Sequence, residues 1–196
     1  MKRQLLLFVI FCFSFFIAKS QHLDFQFGGG LGESYMVEQT TAGYNINFHH
    51  TSTMFGALRF TPDSSYFNLK LHFQYVNSRI SHEYGSGNVS SLTSFIIAEH
   101  LKTDKQFNLG YDIGGGYTVE DFYFIDYLRV DTEVRRFISF RIGLLASMRA
   151  GKKGRLSMEP SLFWTDIANS FNEPNWKTAG EDLSFLMNFS YSYRLF

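Results

Sequence analysis

The residue types in this chain that can do chemistry are histidines near serines, two glycine triplets and a scatter of opposite charges. His82 stands beside Glu83 in a stretch that also holds Ser78, Ser81 and Ser86, and His49 and His50 are neighbours upstream. A serine becomes a nucleophile when a histidine takes its proton and an acid orients that histidine. The composition around His49 and His82 permits such acyl-transfer chemistry, but no spacing demands it. His49 and His50 alternate in direction on a strand, so they do not chelate one metal together. Gly28-Gly29-Gly30 and Gly114-Gly115-Gly116 lack the Lys-Ser/Thr of a phosphate loop and the spacing of a dinucleotide fingerprint. Inside strands, such glycines mark a bend or a close backbone approach. No residue set calls for a cofactor or a metal.

The charges are more informative, because they sit at alternate places in apolar segments. In the closing segment Leu183, Phe185, Met187, Phe189, Tyr191, Tyr193 and Leu195 take every second position. Between them lie Ser184, Leu186, Asn188, Ser190, Ser192 and Arg194. A strand points successive side chains to opposite faces, so one face here is apolar and the other mostly polar. About eight segments read this way: 23–32, 44–60, 66–77, 92–101, 107–119, 134–148, 155–166 and 183–195. The third is the cleanest, with Phe67, Leu69, Leu71, Phe73 and Tyr75 against Asn68, Lys70, His72 and Gln74. In the fourth, Phe95, Ile96 and Ile97 are consecutive; if Glu99 faces inward, Ile96 and Ala98 face out.

Short connections at 61–65, 102–105 and 150–154 alternate with long ones at 33–43, 81–91, 119–132 and 167–181. Outer-membrane barrels have short periplasmic turns and longer outside loops, which fits both termini at the periplasmic end. The segment from Phe122 to Val130 is rich in Phe, Tyr and Ile. It reads as extra strand, giving ten strands, or as a tall wall above the membrane.

The N-terminus reads as a cleaved signal peptide, residues 1–20. Lys2 and Arg3 precede an apolar run from Leu5 to Ile17, and Ala18-Lys19-Ser20 sets the cut before Gln21. That run is shorter than the roughly 20 residues of a spanning helix. Cys12, the only cysteine, lies within it, so residues 21–196 form one β-barrel domain without thiols. Without Lys2, Arg3 and Lys19 the chain keeps 15 of its 18 basic residues against 18 acidic ones. It therefore lacks the basic stripe of a nucleic-acid binder. Aromatics make up 18% of the chain, yet the mean hydropathy is −0.11. Alternation produces that combination, because only half of a membrane strand meets lipid.

The reading is an all-β, transmembrane, antiparallel up-and-down barrel. In lipid every backbone group must be paired within the protein, which forces closure. Eight strands leave an interior that side chains fill. Asp24, Arg59, Lys70, Glu99, Asp112, Arg141, Arg155 and Glu159 are expected to face that lumen as a network of paired charges, rather than as an ion path or an active site. Tyr66, Tyr75, Tyr111, Tyr117, Trp164, Tyr191 and Tyr193 near strand ends suit interfacial girdles. Phe122, Tyr123, Phe124, Ile125 and Tyr127 in one outside loop, with Phe171, Asn175 and Trp176 in another, are candidates for a partner surface.

The chain resembles the small outer-membrane barrels of the OmpA/OmpX-like and PorT-like kind found in Bacteroidetes-type bacteria. The resemblance rests on Ala18-Lys19-Ser20-Gln21, on Phe25-Gln26-Phe27-Gly28-Gly29-Gly30, and on Tyr191-Ser192-Tyr193-Arg194-Leu195-Phe196. It implies outer-membrane lipid and lipopolysaccharide as surroundings. It also implies that the barrel-insertion machinery reads the C-terminal signal carried by Tyr193 and Phe196. Counting back from Phe196 by twos meets Arg194, Ser192 and Ser190, so a bulge near Arg194 is expected to shift the phase. Family functions range over adhesion, stress resistance, secretion accessory roles and lipid enzymes. A non-enzymatic barrel that interacts through its loops is the leading reading. A lipid A acylase or deacylase and a soluble periplasmic ligand-binding barrel are the alternatives.

Overall fold

The computed structural model describes residues 20–40, 43–62, 67–82, 85–101, 105–126, 130–165 and 183–195. Alternating side chains make eight strands, and each hydrogen-bonds to the next. They are β1 (Ser20–Thr40), β2 (Gly43–Pro62), β3 (Asn68–His82), β4 (Gly85–His100), β5 (Phe107–Asp126), β6 (Val130–Ala150), β7 (Gly154–Trp164) and β8 (Leu183–Arg194). All pairs are antiparallel, and β8 returns to β1, closing an up-and-down barrel. Closure leaves no free edge along the paired length. The strand count is eight, not ten.

The inside and the outside are inverted relative to a water-soluble protein. Arg59, Lys70, Arg141, Glu99 and Asp112 are fully buried, whereas Leu31, Leu109 and Leu144 are about two-thirds or more exposed. A contiguous apolar exterior of this kind is a surface for lipid or for another protein. Ile96 is exposed while Phe95 and Ile97 are wholly buried, so the ambiguous run in β4 takes the phase that Glu99 sets. Tyr75, Tyr111, Tyr117 and Tyr193 stand on the outside, Trp164 and Tyr191 are half-buried, and Tyr66 lies outside the described residues.

Strand lengths correct the sequence reading of the long connections. The segments 33–43 and 81–91, expected as loops, are mostly strand: Glu33–Thr40 pairs with Gly43–His50, and Arg79–His82 with Gly85–Asn88. The expected loop 119–132 is the top of one long hairpin, paired from Val119↔Arg136 to Ile125↔Val130. By contrast β7 and β8 have 11 and 12 residues. Those match the roughly 9–11 residues a tilted strand needs to cross a bilayer, and β5 and β6, with 20 and 21, greatly exceed it. Among the described residues the paired strands reach furthest at the β1–β2 and β5–β6 hairpins, less far at β3–β4 and least at β7–β8.

Local chemistry explains two irregularities. The β6–β7 ladder is interrupted between Gly143↔Ser161 and Ala146↔Met158, where Pro160 has no N–H to give. The β6–β7 turn uses Gly151 with φ at +83°, a conformation that disfavours a side chain. The bulge expected near Arg194 is not found: β8 keeps one register against β1 from Leu183 to Arg194, and Leu195 N–H then bonds the Leu23 carbonyl at 2.8 Å. Tyr193 points outward, and Phe196 lies outside the described residues.

Candidate functional site

The lumen is filled in three layers. Nearest the end that carries the termini lies a chain of alternating charges. Arg194 Nε is 3.6 Å from Asp24, whose other oxygen is 3.5 Å from Arg59. Arg59 grips Glu99 with two nitrogens, at 2.6 and 3.1 Å. Lys70 Nζ sits among Glu99 at 3.1 Å, Asp112 at 2.9 Å and Glu159 at 3.8 Å. Arg141 pairs with Glu159, lies 3.9 Å from Asp112, and donates to Gln74 Oε1 at 3.1 Å. Arg155 donates to the Ser147 hydroxyl and to the Lys105 carbonyl. Seven of the eight residues singled out from the sequence are joined in one ion-paired chain, Asp24, Arg59, Glu99, Lys70, Asp112, Glu159 and Arg141, while Arg155 is held by a hydroxyl and a carbonyl. Buried charges are tolerable only when so paired.

Above the charges is an apolar plug that the sequence reading did not anticipate. Val76, Phe95, Ile97, Phe163 and Leu186 form its cluster. His72 joins it rather than a metal: its ring stacks on Phe55 at 4.7 Å and its Nε2 is 2.9 Å from Arg141 Nη1. Glycine makes the room on β1, where a Cβ on Gly28 would strike the Phe55 ring and the Phe189 carbonyl. The third layer is hydroxyl-rich. Ser34, Thr51, Ser78 and Ser184 bond one another at 2.6 to 3.0 Å, and Thr118 links Thr93 to Ser139. No local spacing announces this cluster, because its members come from β1, β2, β3 and β8.

The same geometry bears on the acyl-transfer possibility. Ser78, expected in an outside loop, is buried in the hydroxyl cluster instead. His49 points into the lumen, while His50 is exposed and lies 3.8 Å from Glu33. The side chains of Ser81, His82 and Glu83 lie outside the described residues. Among the described residues no cluster of His, Asp and Glu is placed to hold a metal.

The tall wall carries the other candidate surface. Phe122 and Tyr123 belong to a strand, so they point to opposite faces. Phe122 is half-buried on the inner face, with the Arg135 guanidinium 4.9 Å over its ring. Tyr123 and Ile125 stand on the outer face beside Val130 and Val134. The aromatic run is therefore split, and the outward patch is Tyr123, Ile125, Val130 and Val134. The Phe124 side chain, Tyr127, Phe171, Asn175 and Trp176 lie outside the described residues.

Inverted burial, full closure and eight strands define the class as a small closed β-barrel with a plugged lumen. No family model matches the chain, and no curated protein sequence does. Solved structures of small barrels are similar in fold. A major outer membrane protein of Thermus thermophilus superposes with a TM-score of 0.58 at 8% identity, over 88% of this chain and 99% of that one. Ail, the attachment invasion locus protein of Yersinia pestis, gives 0.52 at 9% identity over 87% and 98%. Neisserial surface protein A gives 0.51 at 7% identity over 87% and 96%.

Proposed function

We propose that this chain is an integral outer-membrane β-barrel of a Gram-negative bacterium, exported by its N-terminal signal. It is non-enzymatic and works by presenting its tall wall to partners outside the cell. One observation carries the reading: the β4–β5–β6 ladder continues up to Ile125↔Val130, well beyond Phe140, where the described β6–β7 ladder starts. Paired strand held above the bilayer is a platform, and Tyr123, Ile125, Val130 and Val134 give it an apolar contact face. The filled lumen favours a closed barrel over a pore, since eight strands leave room for side chains only. Similarity in fold to an attachment protein, Ail, is consistent with a role in adhesion. The OmpA/OmpX-like side of the sequence resemblance is the side these folds support; the PorT-like, Bacteroidetes-type affinity rests on the sequence alone.

Attachment of cells producing the full chain is to be compared with that of cells producing a chain in which residues 121–134 are replaced by a tight Asn-Gly turn. The reading expects the trimmed barrel to insert normally and attachment to fall. Equal attachment with both would contradict it. A changed lipid A mass profile in cells lacking the protein would instead favour the acylase or deacylase alternative.

A further inference from the structure

The lipid-facing wall has a trough near the end that carries the termini. It crosses β6, β7, β8 and β1 between two rows of outward side chains, with a volume of about 550 Å³. The register defines the rows: Ala146↔Met158↔Phe189 on one side and Met148↔Leu156↔Tyr191 on the other. The backbone of the inward-facing residues between them, Ser147, Ser157 and Ser190, is the floor. Ala146 opens the trough, for its neighbours along β6, Leu144 and Met148, are long where it is short. Phe27, packed 5.8 Å from Tyr191 by ring centroids, continues the second row onto β1.

The polar end of the trough is basic. The β6–β7 turn presents Arg149, Lys152 and Lys153, all exposed, and Lys105 is exposed on the neighbouring turn. Lys153 Nζ stands 5.9 Å from the Tyr193 ring centroid, so this charge is held beside the apolar wall. Gly154 admits the Tyr191 hydroxyl, which a side chain there would strike. A phenol oxygen thus lies between the trough and the lysines. Along this rim no acidic side chain is exposed among the described residues.

We infer that this trough and turn form a binding site for an anionic phospholipid of the inner leaflet, with an acyl chain in the trough and its phosphate against Lys152 and Lys153. The volume falls within the roughly 300–1,000 Å³ of small-ligand sites. The lining gives an acyl chain apolar contact on both sides, and basic residues beside a membrane attract anionic headgroups. The inference rests on the membrane reading above. It commits to phospholipid because the trough opens at the end with the termini and short turns, which that reading puts in the periplasmic leaflet.

The test is native mass spectrometry of the protein released from detergent micelles after addition of phosphatidylglycerol, phosphatidylethanolamine or phosphatidylcholine of equal chain length. The wild-type protein is expected to retain phosphatidylglycerol above the other two. The double variant Lys152→Gln/Lys153→Gln, which changes only an exposed turn, is expected to lose that preference, by about fivefold per lysine. Ala146→Phe, which fills the trough, is expected to lose retained lipid of every headgroup. Equal retention of all three lipids by the wild type, retention unchanged in both variants, or a dimer that excludes lipid would each overturn the site. Failure of the membrane reading shows separately, as a wild-type protein that never forms a heat-modifiable barrel in the micelles.

Discussion

The two halves of β6 differ in what holds them. From Phe140 to Ala150 the strand is paired on both sides except at the break beside Pro160, its inner face meets Arg141's ion pairs, and its outer face is apolar. From Val130 to Ser139 it pairs with β5, and among the described residues its ladder with β7 starts only at Phe140. The lower half belongs to a closed and internally cross-linked band, the upper half to a hairpin with β5, which is itself paired to β4. One strand can do both because pairing and lumen contacts, not propensity, decide how firmly each residue is fixed. The band can be rigid while the hairpin is free to vary its surface.

Substitutions that behave differently in the two halves test the contrast. The largest effect is expected at the centre of the band. Lys70→Met leaves Glu99, Asp112 and Glu159 facing one another without their shared cation. Losing one partner from a buried network costs about 3–5 kcal/mol, so urea unfolding in detergent should shift sharply to lower denaturant. A midpoint near wild type would mean that the lumen charges are hydrated rather than locked.

Next is the lipid face. Leu144→Arg places a charge on the apolar outer face of the band, at an expected cost of about 2–4 kcal/mol in a bilayer. Unfolding in vesicles reads it directly. The same change in the hairpin, Ile125→Arg, should alter stability by no more than about 0.5 kcal/mol, because a surface site away from packed contacts is tolerant. It should nevertheless weaken attachment if the outward patch is the contact face. Equal costs at the two positions would erase the distinction between band and hairpin. The smallest effect is expected for Arg135→Gln, which removes a cation stacked on Phe122. A half-buried pair of this kind is worth about 1 kcal/mol, measurable as faster proteolysis of the hairpin with the barrel intact.

Much of the band was legible in the sequence. On the proposed membrane reading, lipid on one side and a packed lumen on the other force strict alternation, and Asp24, Lys70 and Glu99 mark the inward phase. Even the Phe95-Ile96-Ile97 run follows once Glu99 sets the phase. Above the band the signal fades for a physical reason. Without lipid outside, nothing requires an apolar face, so Ser86, Asn88 and Ser90 look like loop although they lie in β4. Consecutive aromatics at 122–124 hide alternation in the opposite way. The hydroxyl cluster depends on the register of neighbouring strands, and the apolar plug on which strands meet across the lumen, neither of which a local pattern encodes. The smooth register of β8 past Ser192 was not legible either.

If the proposed function holds, the Phe140–Ala150 band lies in the membrane and the 121–134 hairpin outside the cell. The chain's only cysteine is Cys12, within the expected signal, so single cysteines can be introduced one at a time at positions 123, 144 and 152. Intact cells are then treated with a membrane-impermeant maleimide. The account predicts labelling at 123 on intact cells, labelling at 152 only after the outer membrane is opened, and none at 144 in either case. Labelling at 144 from water, or at 152 before 123, would contradict it.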